Sequence, residues 1–303
     1  MLRVTFLGTS AAQPTAGRNL TATAVRRAGE LLLFDCGEGT QRQMIRYGTG
    51  FDVSAIFFTH FHADHYLGAI GFLRTLSMQG RREPLRLYGP RPASRLLDVM
   101  LFTGTEELAY PVPIEELGPG DVVRLDGAEV RAFPTSHRIP SLGYALVEDP
   151  RPGRFHPDRA AALGIPAGPL YHELQLGRAV EVNGRTVRPE LVVDPPRRGR
   201  SLVITGDTRP ADATVEAARG ADVLVHDATF GDEEQSRAEE TMHSTAREAG
   251  RVAHRAGVRE LVLTHLSTRY DHDPSPLVRQ ATEEHEAVVV AHDGLVLEIP
   301  RSP

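Results

Sequence analysis

The sequence predicts an α/β protein in which two β-sheets pack together with helices on the outside. Strand-like and helical stretches alternate along the first half, and more strands follow, an order typical of stacked sheets covered by helices. Several apolar strand-like stretches are followed at once by a histidine or an aspartate, at His60, Asp207, His226 and His265. We therefore expect one face of the fold to gather these polar side chains.

The individual elements are predicted from alternation, helical periodicity and turn residues. A glycine-rich turn at 35–40 leads into the first helix, with Asp35 available to support the neighbouring loop, and Ser244 or Thr245 can cap a later one. We expect strands at residues 2–7, 21–26, 31–34, 55–59, 85–88, 122–125, 128–134, 142–147, 201–205, 223–225, 260–264 and 295–299, with another near Val288. We expect helices at residues 41–47, 67–79, 93–102, 213–219, 246–256 and 276–285.

The composition is that of an ordinary globular chain: 303 residues, 41% hydrophobic and 24% charged. The net charge is −6 and all 34 basic residues are arginines, so contact with nucleic acid would depend on a local basic patch. The single cysteine, Cys36, excludes an internal disulfide and fits a reducing compartment. With no long apolar run and no signal-like start, we expect a cytoplasmic protein that does not enter a membrane.

The closest cluster of potential metal ligands follows the strand predicted at 55–59. His60, His62, Asp64 and His65 fall there within six residues. Because alternate residues at a strand end point the same way, we expect His60 and His62 to share one direction. Nitrogen and oxygen ligands crowded this closely suit zinc or manganese, and two ions more readily than one. The alternative is a polar loop with incidental histidines.

Further candidate ligands follow other apolar strands downstream, and they favour the metal interpretation. Together they make seven, too many for one tetrahedral zinc but suited to two ions that share a carboxylate, for which Asp207 is the natural candidate. Such a site, with a bridging hydroxide, attacks phosphorus or a carbonyl carbon. The ligand candidates are His60, His62, Asp64, His65, His137, Asp207 and His265.

Departure of an alkoxide also needs a proton, and His243 is the best candidate outside the ligand set. A nearby carboxylate could keep it protonated, and Asp227 is the expected partner. The alternative for His243 is a surface histidine at a helix start. The remaining histidines outside these patterns are interpreted as surface residues.

Residues 149–200 differ from the rest in being rich in proline and glycine. Nine arginines against six acids give the segment a local charge of +3, which leaves −9 for the remainder of the chain. We expect a basic arm that contacts RNA or another polyanion, since long irregular insertions are more often functional than neutral. An ordinary solvated insertion is the alternative.

The pattern His60-x-His62-x-Asp64-His65 resembles the signature of the metallo-β-lactamase superfamily. Other stretches narrow the resemblance to the ribonuclease Z family, the tRNA 3′-processing endonucleases, over residues 2–294. These stretches are Phe6-Leu7-Gly8-Thr9, residues 14–19, residues 34–41, the GIPxGPL stretch at 164–170, Met242-His243-Ser244-Thr245 and His265-x-Ser267-x-Arg269-Tyr270.

The resemblance implies a single four-layer αβ/βα sandwich over residues 1–303, with residues 149–200 as a flexible arm that protrudes and grips tRNA. It implies one zinc at His60, His62 and His137, a second at Asp64, His65 and His265, and Asp207 as the bridge. It makes Asp64 the proton acceptor, His243 the group that assists the leaving oxygen, Arg269 a contact of the scissile phosphate, and Gly168-Pro169 the arm's motif. It also implies a homodimer.

Two positions depart from the family pattern. Ala16 stands where the P-x-K-x-R-N loop has lysine, in the loop associated with handling the CCA end of tRNA. Asp227 stands where the HEAT motif has glutamate, so we expect this shorter carboxylate to pair less well with His243.

The leading hypothesis is therefore a zinc endoribonuclease that removes the 3′ trailer from precursor tRNA and leaves a 3′-hydroxyl. One rival is a general zinc phosphodiesterase for small diesters or other RNAs. A second rival, from a different class, is a catalytically silent RNA-binding protein.

Overall fold

The computed structural model describes residues 1–103 and 107–301. The strands in these residues are β1 (Leu2–Gly8), β2 (Ala22–Arg27), β3 (Glu30–Phe34), β4 (Val53–Phe57), β5 (Arg86–Pro90), β6 (Ile114–Leu117), β7 (Val122–Leu125), β8 (Ala128–Pro134), β9 (Leu142–Glu148), β10 (Val180–Val182), β11 (Arg185–Val187), β12 (Ser201–Ile204), β13 (Val223–Asp227), β14 (Glu260–Thr264), β15 (Val288–Val290) and β16 (Val296–Ile299). The helices are α1 (Thr40–Tyr47), α2 (Ala63–Tyr66), α3 (Gly68–Met78), α4 (Ala93–Leu101), α5 (Pro157–Ala162), α6 (Pro169–Gln175), α7 (Asp212–Ala217), α8 (Gln235–Thr241), α9 (Ala246–Ala256) and α10 (Ser275–Thr282).

Two seven-stranded sheets form from the described residues. The first has the order β16-β1-β2-β3-β4-β5-β6, and the second has the order β15-β14-β13-β12-β9-β8-β7. In the first sheet β3, β4, β5 and β6 run parallel to one another, and in the second β12, β13, β14 and β15 do so. The carboxyl ends of parallel strands therefore lie together at one edge of each sheet.

Three layers of apolar side chains join the sheets and helices of residues 1–147 and 201–300. The first layer lies between the two sheets and includes Phe57 and Tyr144, whose ring centres are 5.4 Å apart. A second layer joins the outer face of the first sheet to α1, α3 and α4, and a third joins the second sheet to α7, α9 and α10. The result is the expected four-layer sandwich of helices, two sheets and helices.

Strand β4, helix α3 and strand β6 are among the elements that differ from the sequence prediction. Strand β4 ends at Phe57 and not at residue 59, because the Thr59 N–H donates to the Asp35 carboxylate (2.7 Å) instead of a neighbouring strand. The helix expected at 67–79 begins at Gly68, after the separate short helix α2. Strand β6 was not predicted, because its sequence, IEEL, has two adjacent glutamates and no alternation of apolar and polar residues.

The described residues divide into two compact units, one of Met1–Val147 and Ser201–Pro300 and one of Glu148–Arg200 with Arg301. The second unit is less irregular than its composition predicts. It contains α5, α6 and the hairpin β10-β11 around a small core of its own, which includes Ile165, Leu174 and Val192.

The motif Gly168-Pro169 opens helix α6 in this second unit. Gly168 has φ 142°, a backbone conformation that side-chain-bearing residues rarely adopt, and Pro169 follows at the first helical turn, where its missing N–H costs nothing. Both residues are exposed. No helix in the described ranges combines the length and apolar character needed to cross a membrane.

Candidate metal centre and catalytic cleft

The candidate site lies where strands of both sheets end. In the second sheet Asp207 follows β12, Asp227 is the last residue of β13, and His265 follows β14 directly. In the first sheet the loop that carries His60 follows β4. These strands are buried, so the polar residues at their ends are brought together at the edge of the core.

The loop from His60 to His65 is fixed by Asp35, a buried residue with φ 58° directly after β3. Its carboxylate accepts from Thr59 N (2.7 Å) and Thr59 Oγ1 (2.8 Å) and pairs with His65 Nδ1 (2.8 Å). Because the chain has left the strand before His60, the strand alternation behind the expected shared direction of His60 and His62 does not apply. The loop conformation still brings His60 Nε2 to 3.0 Å from His62 Nδ1.

The first group of donors contains His60, His62, His137 and Asp207. His137 Nε2 lies 3.2 Å from His62 Nδ1. Asp207 Oδ2 lies 3.5 Å from His60 Nε2 and 3.9 Å from His137 Nε2. One oxygen of Asp207 therefore faces this group.

The second group contains Asp64, His65 and His265. Asp64 Oδ2 lies 3.6 Å from His65 Nε2 and 3.4 Å from His265 Nε2. The other oxygen of Asp207, Oδ1, lies 3.3 Å from both of these histidine nitrogens. Asp207 thus stands between the two groups and presents one oxygen to each.

The donor set fits divalent metal ions. Ligand atoms at 2.0–2.1 Å from a tetrahedral zinc lie about 3.3 Å apart, close to the spacing of the histidine nitrogens here. Asp207 Oδ1 is buried and has no hydrogen-bond partner among the described residues, which is a costly arrangement for a carboxylate oxygen unless a cation meets it.

The pKa values follow from burial and from the mutual proximity of these groups. Burial lowers the pKa of His60 well below its usual value, and neighbouring His65 acts in the same direction. Burial opposes the charged forms of Asp207 and His65, but their attraction to each other and to their neighbours prevails. The pKa of Asp207 is therefore held well below its ordinary range and that of His65 well above it.

In four of the candidate histidines, the ring nitrogen Nδ1 lies within hydrogen-bond distance of another group. His65 Nδ1 is paired with Asp35, while His60 Nδ1 lies 3.0 Å from Thr59 Oγ1. His137 Nδ1 lies 2.9 Å from the Met242 carbonyl oxygen, and His265 Nδ1 lies 3.0 Å from Thr229 Oγ1. Such partners fix ring orientation and leave Nε2 free to bind a metal.

His243 and Asp227 form a pair beside the donor groups, and their donor atoms lie within 4.8 Å of those of Asp207 and His265. Asp227 Oδ2 lies 2.8 Å from His243 Nδ1, so the shorter carboxylate still reaches hydrogen-bond distance. Burial would lower the pKa of His243, but Asp227 and then Asp207 outweigh it and raise that pKa to about 9. Asp227 also accepts from Thr208 N and Thr229 Oγ1, so its oxygens are already satisfied.

A cleft of about 590 Å³ opens onto this site. His62, Asp64, Asp207, His243 and His265 line it, together with three arginines: Arg138, Arg237 and Arg269. Arg269 was predicted, and it pairs with Glu234 at 3.2 Å. Arg138 and Arg237 were missed. Arg138 directly follows the ligand candidate His137, a signal that could have found it, whereas Arg237 lies on a charged helix with no sequence signal.

The loop at residues 14–19 is held by buried polar contacts. Arg18 donates to Thr9 Oγ1 and to the Ala291 carbonyl, both at 2.7 Å, and Asn19 N donates to Asp293 Oδ2, also at 2.7 Å. Burial lowers the pKa of Arg18. Because Arg18 is buried and position 16 is alanine, neither residue offers the loop an exposed cation.

The fold and the two groups of donor side chains define a hydrolase of the metallo-β-lactamase type that carries a divalent metal site. Residues 17–161 match the model of the Metallo-beta-lactamase superfamily, and residues 169–266 match that of the Beta-lactamase superfamily domain. More narrowly, the chain belongs to the ribonuclease Z family.

The relatives that show the family match along the whole chain. The chain is 62% identical to Ribonuclease Z of Myxococcus xanthus, with 99% of this chain and 98% of that protein covered. It is 52% identical to Ribonuclease Z of Methanosarcina acetivorans, with both proteins covered completely. Among solved structures it resembles the short form of human tRNase Z, with a TM-score of 0.72, 29% identity, and 98% and 99% of the two chains covered.

Proposed function

We propose that this protein is a zinc-dependent endoribonuclease that removes the 3′ trailer from precursor tRNA and leaves a 3′-hydroxyl. The observation that carries the proposal is Asp207, whose two oxygens face two separate groups of donors, as a shared ligand of two ions requires. Family membership supports tRNA as the substrate, since full-length relatives are called Ribonuclease Z and the human structural relative is called tRNase Z.

In the proposed assignment His60, His62 and His137 hold one ion, Asp64, His65 and His265 hold the other, and Asp207 bridges them. Zinc suits a nitrogen-rich set of this kind, and manganese is the alternative. Two such ions, when bound, would activate water and neutralise the charge that develops on the phosphate. Asp64, whose pKa is held below its ordinary value through its contact with His265 despite burial, is ionised and accepts the proton of the attacking water.

His243 acts as the general acid in this proposal. Its raised pKa keeps it protonated near neutral pH, and the contact of Nδ1 with Asp227 leaves Nε2 to face the substrate. As the new bond between the water oxygen and phosphorus forms, the bond from phosphorus to the 3′-oxygen breaks. The proton from His243 goes to that 3′-oxygen, which gives the 3′-hydroxyl product.

Arg269 contacts the scissile phosphate in the same proposal. It follows His265 in the short turn Thr268–Tyr270 and lines the cleft, and its ion pair with Glu234 orients the guanidinium. A planar guanidinium can bind two phosphate oxygens at once, which favours arginine over a point charge at this position.

The unit at 148–200 serves as the tRNA-binding arm, with Gly168 and Pro169 at its contact surface. Several of its arginines, including Arg154, Arg185 and Arg188, are exposed, as RNA binding requires. Arg200 is an exception, because it is buried and donates twice to Glu148 at 2.7 Å. That ion pair ties the two ends of the segment together.

The connection of the arm to the main unit gives a clean experiment. Val147 and Ser201 are paired neighbours in strands β9 and β12, so a short glycine-serine linker can replace residues 150–198 without breaking the sheet. We expect cleavage of precursor tRNA to collapse while hydrolysis of a small diester persists. Equal retention of both activities would remove the arm from the proposal. If the full chain cleaves small diesters but no precursor tRNA, it is a general phosphodiesterase.

A cytoplasmic homodimer completes the proposal. Exposed apolar side chains on the outer helices of the first sheet support the dimer: Ile45 on α1, Met78 on α3, and Val99 and Phe102 on or directly after α4. Phe102 is 82% exposed, which is unusual for a side chain that contacts only water. Light scattering of the purified chain should give the mass of two subunits, and the mass of one would exclude the dimer.

A further inference from the structure

Arg237 lines the cleft but has no part in the mechanism above. Its guanidinium lies 5.9 Å from the centre of the Phe230 ring, a cation–π contact with a nearly buried aromatic residue. Within residues 1–103 and 107–301, no carboxylate lies within ion-pair distance of this guanidinium. Arg237 is thus a positive charge held at the cleft by Phe230, with its hydrogen-bond donors available to an anion.

Arg237 lies on the same side of the cleft as the general acid. Helix α8 carries it and ends two residues before His243, whose N–H donates to the carbonyl of Ala238, the residue next to Arg237 (2.9 Å). Phe230, which supports the guanidinium, also lies beside His243, with ring centres 6.2 Å apart. The acid and Arg237 therefore share one local framework.

The identity of the leaving group orients the RNA strand relative to this framework. A product with a 3′-hydroxyl requires that the 3′-oxygen depart and receive its proton from His243. The nucleotide that owns this oxygen, on the 5′ side of the cut, must then lie on the His243 side of the cleft. The trailer, which keeps the phosphate, extends away from it.

We infer that Arg237 binds a backbone phosphate of the tRNA on the 5′ side of the scissile bond. This inference rests on the proposed function and adds the polarity of the strand in the cleft. Arginine suits the task because phosphate contacts supply most of the affinity for a nucleic acid strand and guanidinium groups bind phosphate oxygens in pairs. The contact with Phe230 reduces the freedom that the side chain would lose on binding.

The test compares Arg237→Gln and Arg237→Lys with Arg255→Gln in the zinc-loaded full-length protein. Arg255 is a matched control, because it is exposed, carries the same charge and pairs with Asp212 outside the cleft. The measurements are KM and kcat for precursor tRNA with trailers of one and of about twenty nucleotides. Inhibition by mature tRNA that ends in a 3′-hydroxyl is measured in parallel, together with its salt dependence.

We expect Arg237→Gln to raise both the KM for precursor tRNA and the inhibition constant of mature tRNA about tenfold. The factor should be the same for both trailer lengths, and KM should change more than kcat. The slope of log affinity against log salt should fall by about 0.7, as for one lost phosphate contact on a single strand. Arg237→Lys should keep that slope but recover only part of the affinity, and Arg255→Gln should match the wild type.

The inference is overturned if Arg237→Gln behaves like Arg255→Gln, or if its effect appears only with the long trailer and leaves inhibition by mature tRNA unchanged. The second result would place Arg237 on the 3′ side of the cut. Failure of the proposed function has a different signature, because the zinc-loaded wild type would then leave precursor tRNA uncut. Binding of mature tRNA would still report on Arg237 in that case.

Discussion

In the proposed mechanism His243 donates a proton, whereas the neighbouring histidines His137 and His265 hold the metal. It lies 3.9 Å from Asp207 but only 2.8 Å from Asp227, so its closest partner is a carboxylate outside the proposed ligand set. Removing a general acid should slow catalysis without releasing the metal. We predict that His243→Ala lowers kcat for precursor tRNA by roughly 10²–10⁴-fold. The zinc content, measured by elemental analysis, should stay at the wild-type value.

The control for that variant is His254→Ala, since His254 is exposed on α9 and does not line the cleft. It should leave both kcat and zinc content unchanged. Loss of zinc from His243→Ala would show that His243 is a ligand, and wild-type kcat in that variant would show that the acid lies elsewhere.

In the proposed mechanism Asp227 sets the pH range over which His243 donates its proton. A general acid works while it is protonated, so activity should fall as pH rises through its pKa. Asp227 raises that pKa, and removal of its charge must lower it. We predict that Asp227→Asn shifts the alkaline limb of the profile of kcat/KM against pH to lower pH. In Asp227→Glu the alkaline limb should lie at the wild-type pH. If the limb does not shift in Asp227→Asn, Asp227 does not raise the pKa of the general acid.

At the scale of secondary-structure elements, Asp35 at the end of β3 determines the conformation of the loop from His60 to His65. The Asp35 carboxylate takes the Thr59 N–H that would otherwise extend β4 and also holds the ring of His65. One side chain therefore ends a strand and orients a candidate ligand. The sequence suggested Asp35 as a support, but it could not show which backbone amide the carboxylate would bind.

We predict that Asp35→Ala leaves the buried Thr59 N–H and His65 Nδ1 without a partner. This should lower the free energy of unfolding by about 1–3 kcal/mol and zinc affinity by roughly 10–100-fold. Denaturant titration and competition with a chelator measure the two effects. Asp35→Asn, which tolerates φ 58° and keeps one acceptor, should lose less of both. Wild-type zinc affinity in Asp35→Ala would contradict this account.

At the scale of the whole molecule, most strands of the two sheets and most helices that cover them could be predicted. The spacing of apolar residues within each element is visible in a short stretch of sequence. The gathering of His60, Asp207 and His265 could be expected for the same reason, since each follows a buried strand end. The helices and hairpin within residues 148–200 could not be predicted. Their small core depends on contacts among residues such as Ile165, Leu174 and Val192, which composition does not reveal. Arg237 was missed because its significance comes only from its place in the cleft.

The central claim is that this donor cluster cuts precursor tRNA by expelling a 3′-oxygen. The most direct measurement incubates a precursor tRNA of defined trailer with the chelated protein and with the zinc-reconstituted protein, and then maps both new ends. We predict one cut after the discriminator nucleotide, with a 3′-hydroxyl on the tRNA, a 5′-phosphate on the trailer, and no cut by the chelated protein. Equal cutting without metal, a 3′-phosphate or cyclic phosphate on the tRNA, or intact precursor after zinc loading would contradict the account.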